Sequence, residues 1–431
     1  MTYKAALAWL YSLQRFGIKL GLGNIQRLIR ELDVDPSTWL PPSPKNFGVA
    51  SRTGLGGARV IHVAGTNGKG SVCAMIDSIC RAGKYRTGLF TSPHLVTFRE
   101  RISVNGDLIS EKEASAGLTR IHDLVRAWDP HPTFFEITTA LALKHFADSR
   151  ARPEQGRGAD IVILETGLGG RLDATNAVQA NVAVITPIAL DHEEWLGDSL
   201  DKIASEKAGI IKPKTPVVSA PQLPEAEKVI RARAADCAAP LQFVDQPYTK
   251  SPIALRGEHQ KLNAATAIAA VRCAKIDISD AAIARGLATV EWPARFQCWD
   301  KGTVIDGAHN PAATKVLTET WREVFGDERA TVILAVLSDK DLRGICEAIA
   351  PIADSFLLPK IRTERAAEPG ALQKLFLHLN RQSEICASFG EALAKARQRS
   401  APILITGSLH FAGEALAHLQ GKPAAFEECA Q

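Results

Sequence analysis

Short apolar, β-branched runs recur along the first half of the chain: Val60 to Gly65, Thr87 to Ser92, Asp160 to Thr166, Val182 to Pro187 and Pro216 to Ala220. Each is followed by a stretch with helical periodicity, so the pattern predicts parallel βαβ units with the sheet covered on both faces. After the first run, Val72, Met75, Ile76, Ile79 and Cys80 fall at helical spacing and Gly83 sits where a helix would end. That is strand, glycine loop, helix. The pattern restarts near Gly302, with strands predicted at Thr303 to Asp306, Thr331 to Leu337, Ser355 to Leu358 and Ile403 to Thr406, and a helix through Val316, Leu317, Trp321 and Val324. The fold class is therefore α/β, with a larger domain over residues 1–293 and a smaller one over 294–431. Pro293 disfavours a helix running through Glu291 to Arg295, which places a hinge there. Pro41 to Gly57, rich in proline and glycine, reads as a surface loop.

Composition narrows this picture. At 431 residues the chain is long enough for two or three domains, and 46% hydrophobic with 23% charged residues excludes disorder. A formal charge of +4 is too thinly spread to argue for nucleic acid or an anionic membrane. No apolar stretch is long enough for a spanning helix, and the amphipathic start, Ala5 to Leu13, has no cleavage pattern after it. The expectation is a cytoplasmic enzyme. Eight cysteines, Cys429 among them, never fall at C-x-x-C spacing, so neither zinc nor a disulfide framework is expected.

Candidate chemistry sits where strands end. Gly65-Thr66-Asn67-Gly68-Lys69-Gly70-Ser71 joins a strand to a helix N-terminus, where backbone N–H groups, the helix end and a mobile lysine suit nucleotide phosphates. Its spacing is shorter than the common phosphate loop, and Gly70 separates Lys69 from Ser71. Glu165 ends another strand and opens a glycine-rich run, Gly167 to Asn176. Asp191-His192 follows a third, and an imidazole and a carboxylate converging there could share a divalent cation; a structural or capping histidine is the plainer alternative. Ser92 can be a hard oxygen ligand or open a serine turn, and the residues leave these even. In Asp306-Gly307-Ala308-His309-Asn310-Pro311, Asn310 reads as the cap of a helix beginning at Pro311 and the polar groups face the space between domains.

Taken together, GTNGKGS at Gly65, TSPHL at Thr91, FFE at Phe134, GLGGRLDATN at Gly167, LDHEEWLG at Leu190, EKAGIIKP at Glu206, HQKLNAATAI at His259, WPARFQ at Trp292, DGAHNP at Asp306, DKD at Asp339 and TGSLHFAGE at Thr406 resemble the folylpolyglutamate synthase and dihydrofolate synthase family of the Mur ligase superfamily. The resemblance implies a phosphate-loop Mur-ligase-like domain followed by a Rossmann-like one. It implies ATP held by Asn67, Gly68, Lys69 and Gly70, with Asn263 on the adenine side and Arg295 and Asp306 contributing from the linker and second domain. It also implies Mg²⁺, two ions, on Ser92, Glu165 and His192, and a carbamate on Lys207. Lys69, Lys207 and His192 are the implied catalytic groups. In pterin-using members, residues matching Thr133, Phe134, Phe135, Leu172, Asp173 and Ala174 form part of the pterin site. The implied substrates are dihydropteroate or a folate, L-glutamate and ATP, with no nucleic-acid or membrane partner and a monomeric enzyme.

On the residues alone, Phe134 and Phe135 also read as core positions of a helix through Ile137, Ala140 and Leu141, and Lys207, just before Gly209, as a helix-end dipole partner. Alternative functions are folate polyglutamylation alone, a Mur-type ligase on a cell-wall precursor, and a nucleotide-sensing regulator. The segment Val244 to Leu255 is shorter than in many members of the family, so a peripheral hairpin is expected to be missing.

Overall fold

The computed structural model describes residues 1–16, 21–35, 58–148 and 159–427; Pro41 to Gly57 and Cys429 lie outside them. The first sheet is built from β1 (Arg59–Ala64), β2 (Thr87–Phe90), β3 (Ile102–Val104), β4 (Asp107–Leu108), β5 (Ile161–Glu165), β6 (Val182–Ile185), β7 (Val217–Ser219) and β8 (Leu241–Phe243). Their order is β4-β3-β2-β5-β1-β6-β7-β8, parallel except that β3 is antiparallel to both β2 and β4. Every residue of β1, β2, β5, β6 and β7 is buried, which is why these strands are mostly apolar. Side chains alternate across the sheet: Val60, Val162 and Leu164 enter one cluster with Phe90 and Phe146, whereas Ile61, Val63 and Ile163 enter the opposite one with Ile76 and Ala267. The helix Lys69–Ala82 covers the second face with Glu258–Cys273 and Asp280–Ala288.

The second sheet comprises β9 (Gln297–Cys298), β10 (Thr303–Ile305), β11 (Ala330–Leu334), β12 (Ala353–Pro359), β13 (Ser383–Cys386) and β14 (Ile403–Thr406), ordered β13-β12-β11-β14-β10-β9 with only β9 antiparallel. As expected, Asn310 caps the helix Pro311–Phe325: its side-chain oxygen accepts from Ala313 N–H at 2.8 Å, and Pro311 occupies a position where its missing N–H is not needed.

The chain crosses between the sheets over a few residues. Trp292 packs into the apolar cluster under the first sheet, Ala294 into one flanking the second. Ala294 and Phe296 both have left-handed φ values, 56° and 42°, unusual without glycine. Gln297 Oε1 accepts from Ala294 N–H at 3.0 Å and Asp306 Oδ2 from Phe296 N–H at 2.7 Å, so the surroundings fix this conformation. Residues 244–255 form no strand. Five of the seven free cysteines among the described residues are buried.

The antiparallel edges were not expected. β3 and β4 form a hairpin whose turn, Asn105-Gly106, has positive φ at both positions, the chemistry of a two-residue turn that matches strand twist.

Candidate active site

The central strand β1 has β5 on one side and β6 on the other, so chain connections diverge from it and a crevice opens at the carboxyl ends. Gly65 to Ser71 follow β1, Ser92 follows β2, Glu165 ends β5 and Asp191 follows β6. The second domain roofs this crevice. Every site residue expected from the sequence lines one cleft of about 1160 Å³.

In the phosphate loop Gly68 is the N-cap of the helix Lys69–Ala82 with φ 87°. A side chain there would be strained and its Cβ would sit 3.0 Å from Asn263 Oδ1. Asn263 in turn donates to Gln260 Oε1 at 2.9 Å. Trp292 closes over the next turn, its Nε1 within 2.7 Å of where a Cβ on Gly70 would lie, so the linker itself touches the loop. Lys69 Nζ donates to the carbonyls of Gly65 (3.1 Å) and Thr66 (3.2 Å). Lys207, 5% exposed, donates to the same Gly65 carbonyl at 2.9 Å. Burial, reinforced by Lys69, pushes the Lys207 amine down to about 7.

Glu165 is 4% exposed and its Oε2 accepts from Ser92 N–H at 3.1 Å. Burial raises its carboxyl, while Lys69, the Ser92 N–H and Arg295 pull it back. His192 stands at the rim with φ 54°, just before the short helix Glu193–Leu196. Partial loss of its water shell lowers the imidazole to about 4 against the pull of Asp191, with Lys340, His309 and Lys69 adding to the fall, so it is neutral at pH 7. Hydroxyl, carboxylate and neutral imidazole suit a hard divalent cation, and the buried carboxylate has the Ser92 N–H as its described hydrogen-bond partner. Among the described residues no three His, Cys, Asp or Glu side chains gather as a cage. The set therefore fits an ion that keeps water and takes phosphate oxygens, as Mg²⁺ does.

Asp191 turns to the second domain. Its carboxylate meets Lys340 Nζ at 2.8 Å, Asn310 Nδ2 at 3.2 Å and His309 Nε2 at 3.6 Å, all from the second domain. Against the cost of burial, His309, His192 and Lys340 hold the carboxyl well below the usual range. Asn67 and Asn310 exchange side-chain hydrogen bonds at 3.0 and 3.3 Å across the same gap. Asp306 accepts from Phe296 and Ala308 N–H groups, and Arg295 Nη1 donates to Ala294 O at 2.9 Å, so both residues shape the linker.

At the other end of the cleft, Thr133 and Glu136 cap the helix Phe134–Asp148: Glu136 Oε2 accepts from Thr133 N–H at 2.8 Å. The two phenylalanines divide. Phe134 is a core residue, stacked on Tyr11 with ring centres 5.8 Å apart, whereas Phe135 is half-buried beside Gly167 and Phe90. Asp173 is committed to its own loop: Oδ2 accepts from Gly167 N–H (2.9 Å) and Leu168 N–H (3.0 Å), and Oδ1 from the Thr175 N–H and hydroxyl. Those bonds fill the carboxylate's acceptor positions. Beneath it, buried His62 Nε2 meets Thr175 Oγ1 at 2.7 Å, a support that sequence reading missed; its one signal is a lone histidine inside the apolar β1. Lys340, Trp292 and His62 are the additions the structure makes to the expected set.

Comparison with known proteins agrees with this architecture. Residues 63–220 match the Mur ligase middle domain and 294–409 the Mur ligase glutamate ligase domain. The dihydrofolate synthase/folylpolyglutamate synthase of Bacillus subtilis is 34% identical over 95% of this chain and 97% of its own length. A solved structure of Escherichia coli FolC in complex with DHPP and ADP superposes with a TM-score of 0.80 at 31% identity, covering 96% of this chain and 98% of that one. The bifunctional Yersinia pestis enzyme complexed with AMPPNP and Mn ion does so with a TM-score of 0.83 at 30% identity, covering 97% and 98%. Sequence, domain order and cleft geometry agree: the chain belongs to the dihydrofolate synthase/folylpolyglutamate synthase family of the Mur ligases.

Proposed function

We propose that this chain joins L-glutamate in amide linkage to dihydropteroate and to reduced folates alike, at the expense of ATP. The observation that carries the reading is a single cleft holding a phosphate loop, a buried carboxylate, a lysine near neutrality and the aromatic face of Phe135. The substrate carboxylate attacks the γ-phosphorus, ADP leaves, and the amine of glutamate displaces phosphate from the acyl phosphate, losing a proton as the amide forms. The chain's part is positioning and charge neutralisation. Lys69 and the N–H groups around Gly68 and Gly70 receive the phosphates, with Asn263, Arg295 and Asp306 completing the nucleotide pocket. Phe135, Leu172 and Ala174 offer apolar surface to a pterin, and Thr133 and Asp173 hold that wall in place.

Ser92, Glu165 and His192 would hold Mg²⁺, which supplies charge neutralisation on the transferring phosphoryl group. A carbamate on Lys207 would replace a cation by an anion and favour a second ion; the fraction of free amine at neutral pH is what CO₂ capture requires. Residues 1–293 and 294–431 act as two bodies hinged at Glu291 to Arg295, and closure keeps water from the acyl phosphate. One chain supplies every residue invoked, in keeping with a monomer, and its buried free thiols suit a reducing cytoplasm. No helix among the described residues is long and apolar enough to cross a membrane.

The test is product formation with ATP, Mg²⁺, glutamate and each acceptor separately. Turnover with tetrahydrofolate but none with dihydropteroate leaves polyglutamylation alone. ATP hydrolysis indifferent to glutamate and pterin refutes the ligase reading.

A further inference from the structure

The loop that presents Ser92 to the cleft is held at its far end by a residue more than three hundred positions away. Glu427 makes four kinds of contact with residues 94–98. Its Oε2 accepts from Phe98 N–H at 2.6 Å and from Thr97 Oγ1 at 3.1 Å. Its own N–H donates to Val96 O at 2.8 Å. His94 Nδ1 accepts from Arg101 Nε at 2.9 Å, which leaves the proton on Nε2 to be donated to Glu427 O at 3.0 Å. Glu100 accepts from the N–H groups of Leu95, Val96 and Thr97. Two carboxylates, one local and one distant, thus satisfy four consecutive backbone donors.

The same loop is docked on the second domain. Leu95 and Val96 pack against the cluster that contains Phe411, Ala412 and Leu416, and a Cβ on Gly413 would lie 1.9 Å from Leu95 O. That helix, Leu409–Leu419, lines the cleft at its first turn through Leu409 and His410 and leads into the segment that carries Glu427. We propose that Glu427 is a positioning residue: it locks loop 94–98 to the second domain and thereby fixes Ser92 against Glu165 in the geometry that receives a metal-bound nucleotide. This rests on the reading of Ser92 as an ion ligand. It assigns Glu427 no contact with the reactants.

The experiment measures affinity for a non-hydrolysable ATP analogue by calorimetry, with and without Mg²⁺, for the wild type, Glu427→Ala, Glu427→Gln and Ser92→Ala. Glutamine keeps an acceptor for the Phe98 N–H and is expected within roughly threefold of wild type. Alanine, which loses charge-accepting hydrogen bonds, should weaken Mg²⁺-dependent binding roughly tenfold, leave metal-free binding unchanged, and raise KM for Mg²⁺·ATP more than it lowers kcat. Glu427→Asp, with the carboxylate drawn back by one methylene, carries the same comparison should the alanine variant not fold. Lower thermal stability with unchanged Mg²⁺-dependent affinity, equal losses for Gln and Ala, or no effect of Ser92→Ala would each overturn the proposal. Absence of pterin- and glutamate-dependent turnover in the wild type refutes the ligase reading instead and leaves these binding results standing.

Discussion

Replacing Lys207 by methionine removes a buried amine while keeping most of its volume. A fall from 10.5 to about 7 corresponds to about 5 kcal/mol between the folded and unfolded environments of the ammonium. The folded value is the lower one, which fixes the sign. Below about pH 7 both states carry the proton and the native state bears the full desolvation cost. Between about 7 and 10.5 the unfolded chain binds more protons, so wild-type stability rises by about 1.4 kcal/mol per pH unit relative to a variant without the amine. The substitution orphans no acceptor, because the Gly65 carbonyl keeps Lys69 at 3.1 Å. Lys207→Met is therefore expected to be more stable than the wild type near pH 6, by about 2 kcal/mol or more once loss of its own hydrogen bond is counted. The gap should narrow steadily toward about pH 9, while turnover is nearly abolished. Urea unfolding of both proteins across that range reads it directly. Parallel stability–pH curves would refute the claim that Lys207 is held near neutrality by burial.

Lys69→Ala should lose on the order of a hundred- to thousandfold in kcat with a melting curve close to wild type, since among the described residues the half-buried lysine donates to its own loop; near-normal turnover would remove the phosphate-loop assignment. Glu165→Ala and His192→Ala should each weaken Mg²⁺ dependence, and the double variant should be little worse than either alone; additive losses in the cycle would show that they do not share an ion. Lys340→Met leaves Asp191 buried beside Asn310 and His309, which is expected to cost about 3 kcal/mol in denaturant unfolding, most of it regained in Asp191→Asn/Lys340→Met; a double variant as unstable as the sum of the singles would deny the pairing.

Strands buried on both faces print themselves on a sequence as apolar runs, so β1, β5, β6 and β14 were legible to within a residue or two. The edges were not. β13 has exposed Glu384 and Ile385, and nothing in a half-wet four-residue strand distinguishes it from a loop. The Asn105-Gly106 turn carries its own signal, but the strands on either side are too short to show alternation. The site was legible for a similar reason: loops leaving parallel strands must meet at the carboxyl ends. Its partnerships were not. Asp191 pairs with a lysine 149 positions away, and a carboxylate beside a histidine looks the same whether it turns to an ion or to another domain. Asp173 shows the converse limit, because a residue on the cleft wall can be spent on holding the wall.

Polar and apolar contacts between the two bodies are distributed unequally, and the distribution bears on how the cleft opens. Across the mouth the contacts are polar pairs, Asn67 with Asn310 and Asp191 with Lys340. Such pairs exchange protein partners for water at small net cost when both sides are exposed together, so the mouth can open without a large barrier. Around the linker the contacts are apolar, with Trp292 fixed under the first sheet and Ala294 fully buried against the second. Leu95 and Val96 pack against the same cluster as Ala294 and extend that apolar contact. Separating these would expose hydrocarbon at about 25 cal/mol per Å², with nothing gained in return. A rotation that kept these apolar contacts and released the polar ones would turn about the linker and the Leu95–Val96 contact, moving Asn310 and Lys340 away from Asn67 and Asp191. The groups so released would be the asparagine of the phosphate loop and the carboxylate beside His192.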